Sequence, residues 1–191
     1  MAQEFEVKYA LPAKALHDAL LEKFSHLPRV EKPMSAVYFD TETGDLSQRK
    51  WTLRLRQEGE TSLLTMKTKG QGYARGEWEY PAASMENCAE TLCALGAPAE
   101  LKELLQKPLI PVCGARFTRV AMELALGETR AELALDRGEL FRGETTLPLC
   151  ELEVEWKEGR QEDVVAFAKA LAEEFSLREE PKSKFQRAVE L

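Results

Sequence analysis

The stretch Glu4-Phe5-Glu6-Val7-Lys8-Tyr9 (EFEVKY) alternates one charged residue with one bulky apolar residue. In a β-strand, side chains at i, i+2 and i+4 share a face. One face of this strand therefore carries Glu4, Glu6 and Lys8, and the other carries Phe5, Val7 and Tyr9. An antiparallel sheet commonly buries one face and wets the other. Which face looks inward decides the fold.

The same alternation recurs along the chain. Arg54 and Arg56 oppose Leu53 and Leu55, and Lys67 shares a face with Thr65 and Lys69, opposite Met66. Arg75, Glu77 and Glu79 oppose Trp78 and Tyr80. Arg119 lies with Glu123, and Glu132 with Asp136. Glu151, Glu153 and Glu155 oppose Leu152, Val154 and Trp156. Taken strand by strand, these read as solvent faces. Together they do not, because same-face neighbours sit only ~6.5–7 Å apart. Three carboxylates at that spacing repel one another, and solubility does not require blocks of one sign. A hard divalent cation such as Mg²⁺ or Mn²⁺, which takes carboxylate oxygens, accounts for them. Arg54, Arg56, Lys67 and Arg119 have the complementary logic: a guanidinium fork or an ammonium suits phosphate oxygens. Metal-binding acids and phosphate-binding bases on sheet faces point to one enclosed site. An eight-stranded barrel encloses such a space, so the charged faces are expected to look inward, with helices covering the apolar faces outside.

The remaining patterns fit that arrangement. Strands are expected at 4–11, 36–42, 51–59, 61–72, 74–81, 113–126, 129–143 and 149–159, with turns at Gly44-Asp45 and Gly59. Helical spacing is present at 12–27, at 84–106 in two pieces broken near Gly96-Ala97-Pro98, and at 161–176. The tail KSKFQRAVEL (182–191) is short and basic at first, and no element is assigned to it.

At 191 residues, one domain spanning 1–191 is the default. The composition, 44% hydrophobic and 31% charged, is that of a globular protein able to bury a core. The net charge of −7 argues against a surface that coats nucleic acid. No apolar run approaches the ~18–20 residues that span a bilayer, and the charged first residues lack a signal core. Neither a membrane nor a nucleic-acid partner is expected, and the expected location is the cytoplasm. Cys88, Cys93, Cys113 and Cys150 form no CxxC pair and accompany only His17 and His26, so reduced thiols are expected rather than zinc. Both histidines are expected at the surface.

The motifs are specific when taken in order. EFEVK resembles the ExExK signature of the CYTH superfamily, the triphosphate tunnel metalloenzymes. YFDT, LRLR, TMKTKG, RGEWEYP, RFTRVAMEL, ELALDRG, ELEVEW and SKFQRA follow in family order. The resemblance implies an α+β fold, an eight-stranded antiparallel β-barrel tunnel with helices packed on the outside, and is closest to the bacterial inorganic triphosphatase branch. It implies metal-dependent hydrolysis of tripolyphosphate to pyrophosphate and phosphate, with Mg²⁺ or Mn²⁺ as two ions. The alternatives on the same scaffold are a thiamine triphosphatase, a class IV adenylyl cyclase, or a non-catalytic polyphosphate- or nucleotide-binding module.

Residue by residue, the resemblance makes Glu4, Glu6, Glu153 and Glu155 metal ligands, with Glu151 a register alternative. Glu79, preferred over Glu77, joins them. Lys8, Arg54, Arg56, Lys67, Arg75, Arg119, Lys184 and Arg187 become phosphate contacts. Asp136 is placed near the substrate, and Glu4, Glu6, Lys8, Asp136, Glu153 and Glu155 form the catalytic set. QRAVEL departs from the pattern in lacking the glycine that often follows the last arginine. Many proteins of this branch carry a C-terminal histidine-rich helical domain called CHAD, so the resemblance leaves two expectations, a stand-alone enzyme or a chain from which a CHAD domain is missing.

Overall fold

The computed structural model describes residues 2–70 and 72–191. Eight strands close into an antiparallel barrel: β1 (Ala2–Ala10), β2 (Arg29–Thr41), β3 (Thr52–Glu58), β4 (Thr61–Lys67), β5 (Ala74–Pro81), β6 (Leu109–Leu126), β7 (Thr129–Arg142) and β8 (Thr145–Glu158). The circular order is β5-β4-β3-β2-β6-β7-β8-β1, and β1 closes the ring by pairing with β5. A two-residue strand, β9 (Arg178–Glu179), extends the same edge of β1 at Tyr9 and Ala10. In this circle β3 lies opposite β8 and β4 opposite β7, which sets which charges can face one another.

The apolar faces look outward, as the alternation predicts. Phe5, Val7 and Tyr9 of β1 join Val120, Leu133 and Val154 beneath α1 (Lys14–Lys23) and α5 (Gln161–Phe175), which contribute Leu20, Val164, Ala168 and Leu171. On the other flank Leu53, Leu64, Met66 and Trp78 pack under α2 (Asp45–Gln48), α3 (Cys88–Ala94) and α4 (Leu101–Leu104), through Leu46, Leu92 and Leu101. Each fully buried Leu side chain contributes roughly 1.5–3 kcal/mol. The α5 periodicity places Val164, Ala168 and Leu171 on one stripe, and Glu162 and Asp163 in its first turn suit the positive end of the helix dipole. Strand coiling brings β6 so near β7 at Gly138 that an added Cβ would meet the Arg116 carbonyl oxygen at 2.1 Å. Only glycine fits there.

Two features depart from the sequence reading. His17 is buried, 6% exposed, because it lies on the barrel-facing side of α1, whereas His26 is exposed as expected. The tail also forms α6 (Lys184–Val189). Ser183 caps it, accepting from the Gln186 amide while the Gln186 side chain accepts from the Ser183 amide. Its Phe185 and Ala188 pack with Ala36, Tyr38, Ala115, Leu140 and Leu149 as an apolar plug in one part of the barrel. Among the described residues, no helix is long and apolar enough to cross a membrane.

Candidate active site

The remaining interior is a cavity of about 1050 Å³ lined mainly by charged side chains. Its basic wall is built by β3 and β4. Strand parity turns Arg54, Arg56 and Lys67 inward while Leu53, Leu64 and Met66 turn out. The two arginines differ in their surroundings. Arg56 lies 2.8 Å from Glu58 Oε1 and donates to Glu79 Oε2 at 2.9 Å. Arg54 reaches only Glu77 Oε1 among the described residues, at 3.9 Å, and the buried Nε atoms of both arginines have no partner there. Lys67 Nζ donates to Glu4 Oε1 at 2.6 Å and lies 3.3 Å from Glu77. Arg75 pairs with both Glu4 and Glu6. Burial would raise the Glu4 carboxyl, but Lys67 and Arg75 outweigh it and hold it at about 2.

The acidic wall faces this one. Glu6 of β1 is the cross-strand partner of Glu155 on β8, and Glu155 is the partner of Glu132 on β7. Directly opposed residues have Cβ atoms about 4.5–5.5 Å apart, so three carboxylates form a row across three strands. Burial pushes the Glu155 carboxyl up, Lys157 at 2.8 Å opposes this, and Glu4 and Glu132 raise it further. Among the described residues, Glu132 has no ion-pair partner. The row is thus rich in carboxylate oxygens and poor in compensating cations.

A second acidic group lies deeper, against α6. Asp136, Glu151 and Glu153 are buried, and their oxygens lie within 4.8 Å of one another. Cations already occupy them. Arg119 grips Asp136 with two bonds of 2.7 Å and reaches Glu153. Lys184 lies 2.8 Å from Asp136 and from Glu153 and also pairs with Glu151. Arg187 pairs with Glu151. Burial would lower the Lys184 ammonium, but the three acids raise it. Burial lifts Glu151, while Lys184, Arg119 and Lys8 overcome burial at Glu153 and depress it. Lys8 is lowered by burial and donates to the Lys182 carbonyl at 2.7 Å.

A barrel with opposed basic and acidic walls around a charged cavity matches a known domain. The CYTH domain profile covers residues 2–189. The chain belongs to the CYTH family. An inorganic triphosphatase of Haemophilus influenzae is 28% identical over 177 residues, covering 90% of this chain and 50% of the relative. This chain therefore spans about half that relative's length. Among solved structures, a candidate adenylyl cyclase from Hippeastrum, described as having a dominant triphosphatase activity, superposes with a TM-score of 0.70 at 18% identity, covering 97% of this chain and 94% of that one. A protein from Pyrococcus horikoshii gives 0.64 at 20% identity with 98% of both chains covered. A Bacillus halodurans protein described as a candidate adenylate cyclase gives 0.61 at 18%, again with 98% of both covered. At these identities the structures establish the shared CYTH fold.

The CYTH barrel brings the expected residues to one interior but sorts them into three groups. Arg54, Arg56, Lys67, Arg75 and Lys8 line the cavity, as do Glu4, Glu6 and Glu155. Asp136, Glu153, Arg119, Lys184 and Arg187 form the deep ion-pair group, of which Glu153, Arg119 and Lys184 also reach the cavity wall. Glu79 sits among hydrogen-bond donors, Arg56 and Thr65. Sequence reasoning assigned no role to Glu132, which belongs to the carboxylate row by cross-strand register alone, or to Thr65 and Lys157. It also missed α6, although Ser183-Lys184-Phe185-Gln186 carries the S-x-x-Q capping-box spacing that marks a helix start.

Proposed function

We propose that this chain hydrolyses inorganic triphosphate in the barrel interior with the help of a divalent cation. The observation that carries this reading is Arg54: a largely buried guanidinium whose one carboxylate neighbour among the described residues lies 3.9 Å away, beyond hydrogen-bond distance. Without a hydrogen-bonded carboxylate among the described residues, its planar fork is open to a phosphate oxygen, the partner it suits. Arg56 and Lys67 stand beside it and Lys8 lines the same cavity, so a chain of phosphates meets several cations at once.

The opposite wall fits a hard cation. Glu6, Glu155 and Glu132 offer carboxylate oxygens with few cations against them, the donor chemistry that Mg²⁺ and Mn²⁺ select. The Asp136 group fits less well, since Lys184, Arg119 and Arg187 already neutralise it. When bound, such an ion supplies charge neutralisation at phosphoryl oxygens and a more acidic water. The protein's own contribution is positioning and electrostatics: the basic wall orients the terminal phosphate toward the acidic wall. Phosphoryl transfer needs little covalent chemistry from the protein, and the described lining offers carboxylates, guanidinium groups and amines rather than a nucleophile–histidine pair.

The test is phosphate release from tripolyphosphate with Mg²⁺ or Mn²⁺, run beside ATP and thiamine triphosphate. Turnover of tripolyphosphate with the highest kcat/KM supports the reading. A preference for either organic substrate would move the activity within the family. Tight binding without turnover would make the chain a polyphosphate-binding module.

A further inference from the structure

We infer that Glu79 is a positioning residue that tethers the Arg56 guanidinium, with Thr65 as its anchor, rather than a ligand of the divalent cation. The inference rests on the reading of the barrel interior as a phosphate site. Arg54, Thr65 and Glu79 stand in one cross-strand row on β3, β4 and β5. Thr65 is fully buried, and its hydroxyl donates to Glu79 Oε2 at 2.7 Å. Arg56 donates to the same oxygen at 2.9 Å. One carboxylate oxygen thus receives a neutral donor from the adjacent strand β4 and a charged donor from β3, two strands away. Thr65 has no other hydrogen-bond partner for its hydroxyl among the described residues, so that hydroxyl serves to aim Glu79.

The chemistry of this corner argues against a metal. A cation at Glu79 would stand next to the Arg56 guanidinium, which has Glu58 at 2.8 Å as its second carboxylate. What sets the corner apart is that two donors converge on one Glu79 oxygen, whereas in the row of Glu6, Glu155 and Glu132 only the first two have a cation beside them among the described residues. The two arginines also become functionally distinct. Arg54, with no hydrogen-bonded carboxylate among the described residues, is free to take phosphate directly, and Arg56 is held by Glu58 and Glu79 before any ligand arrives. A tethered fork loses less freedom when it binds an anion, and positioning of this kind contributes to affinity.

The variants are Thr65→Val, Thr65→Ser, Glu79→Gln and Arg56→Ala, each compared with the unmodified chain. Tripolyphosphate affinity is read by calorimetry, Mn²⁺ affinity by calorimetry without phosphate, and KM and kcat by phosphate release. Thr65→Val and Glu79→Gln are expected to weaken tripolyphosphate binding about tenfold, a change of about 1.4 kcal/mol, with a matching rise in KM. Mn²⁺ affinity is expected to stay within about twofold of the unmodified value, and Thr65→Ser is expected to restore tripolyphosphate affinity. In the Arg56→Ala background, Thr65→Val is expected to add little, since its target is gone. A merely structural threonine would lower the melting temperature without this split. A tenfold loss of Mn²⁺ affinity in Glu79→Gln with an unchanged KM would overturn the inference, as would full additivity with Arg56→Ala. If the unmodified chain binds tripolyphosphate but does not turn it over, the hydrolase reading fails while the affinity comparison still decides the tether. Failure of the unmodified chain to bind tripolyphosphate would overturn both.

Discussion

Replacing Lys184 by methionine tests whether α6 is held by charge inside the barrel. Lys184 is 8% exposed and contacts Asp136, Glu151 and Glu153, with two of those distances at 2.8 Å. Arg119 and Arg187 are the other direct partners of this triad. Three acids therefore pair directly with three bases, with Lys8 acting on Glu151 and Glu153 from farther off, and the Lys184→Met substitution leaves one buried negative charge without a direct partner. Breaking a buried pair in this way costs roughly 3–5 kcal/mol, a fall in melting temperature of roughly 6–20 °C for a domain of this size. The assay is urea unfolding followed by circular dichroism at pH 7.5 and pH 5. Burial already lifts the Glu151 carboxyl, and Glu153 adds to this; loss of Lys184 lifts it further. A carboxyl with a raised folded pKa binds its proton more tightly in the folded state, so stability falls as pH rises and returns as pH is lowered. The loss should therefore shrink at pH 5, and adding Glu151→Gln should recover at least about 1 kcal/mol at pH 7.5. A loss under about 1 kcal/mol, the scale of an exposed ion pair, would refute the reasoning, and so would a loss of equal size at both pH values.

Glu6→Gln should abolish most turnover of tripolyphosphate while leaving the circular dichroism spectrum unchanged; full activity would remove the acidic row from the mechanism. Millimolar Mn²⁺ should raise the melting temperature of the unmodified chain through binding to the folded state, and Glu132→Gln should diminish that rise, whereas an equal rise in both would place the ion elsewhere. Lys69→Ala should lose under about 1 kcal/mol in kcat/KM, because Lys69 lies beyond the end of β4, exposed at the cavity rim; a loss as severe as that of Arg56→Ala would extend the phosphate site past the strand. Burial pushes the Cys113 thiol from 9.0 up to about 12, so the folded chain holds a proton that the unfolded chain releases between those values. Stability should fall across that window, by at most about 4 kcal/mol, and native Cys113 should resist thiol reagents at pH 8 until the chain unfolds.

The sequence by itself determined the sidedness of the barrel. A period of two, with charges on one face of nearly every strand and Leu, Val, Met or Trp on the other, leaves only one question, which face is enclosed. Blocks of like charge answer it, because no solvent face requires them. Helix positions followed from the spacing of Leu20, Val164, Ala168 and Leu171, which is local information. Only the tertiary structure decided how the charges pair. Glu6, Glu155 and Glu132 come from three strands far apart in the chain, and only cross-strand register makes them a row. Asp136 and Glu153 look like Glu155 in sequence, yet α6 delivers Lys184 to that end of the barrel, where with Arg119 of β6 it neutralises them. Arg54 and Arg56 are equivalent in the pattern LRLR. They differ because Glu58, two residues on in the same strand, and Glu79, held by Thr65, pair with Arg56 and not with Arg54; the Glu79 contact depends on the register between β3, β4 and β5.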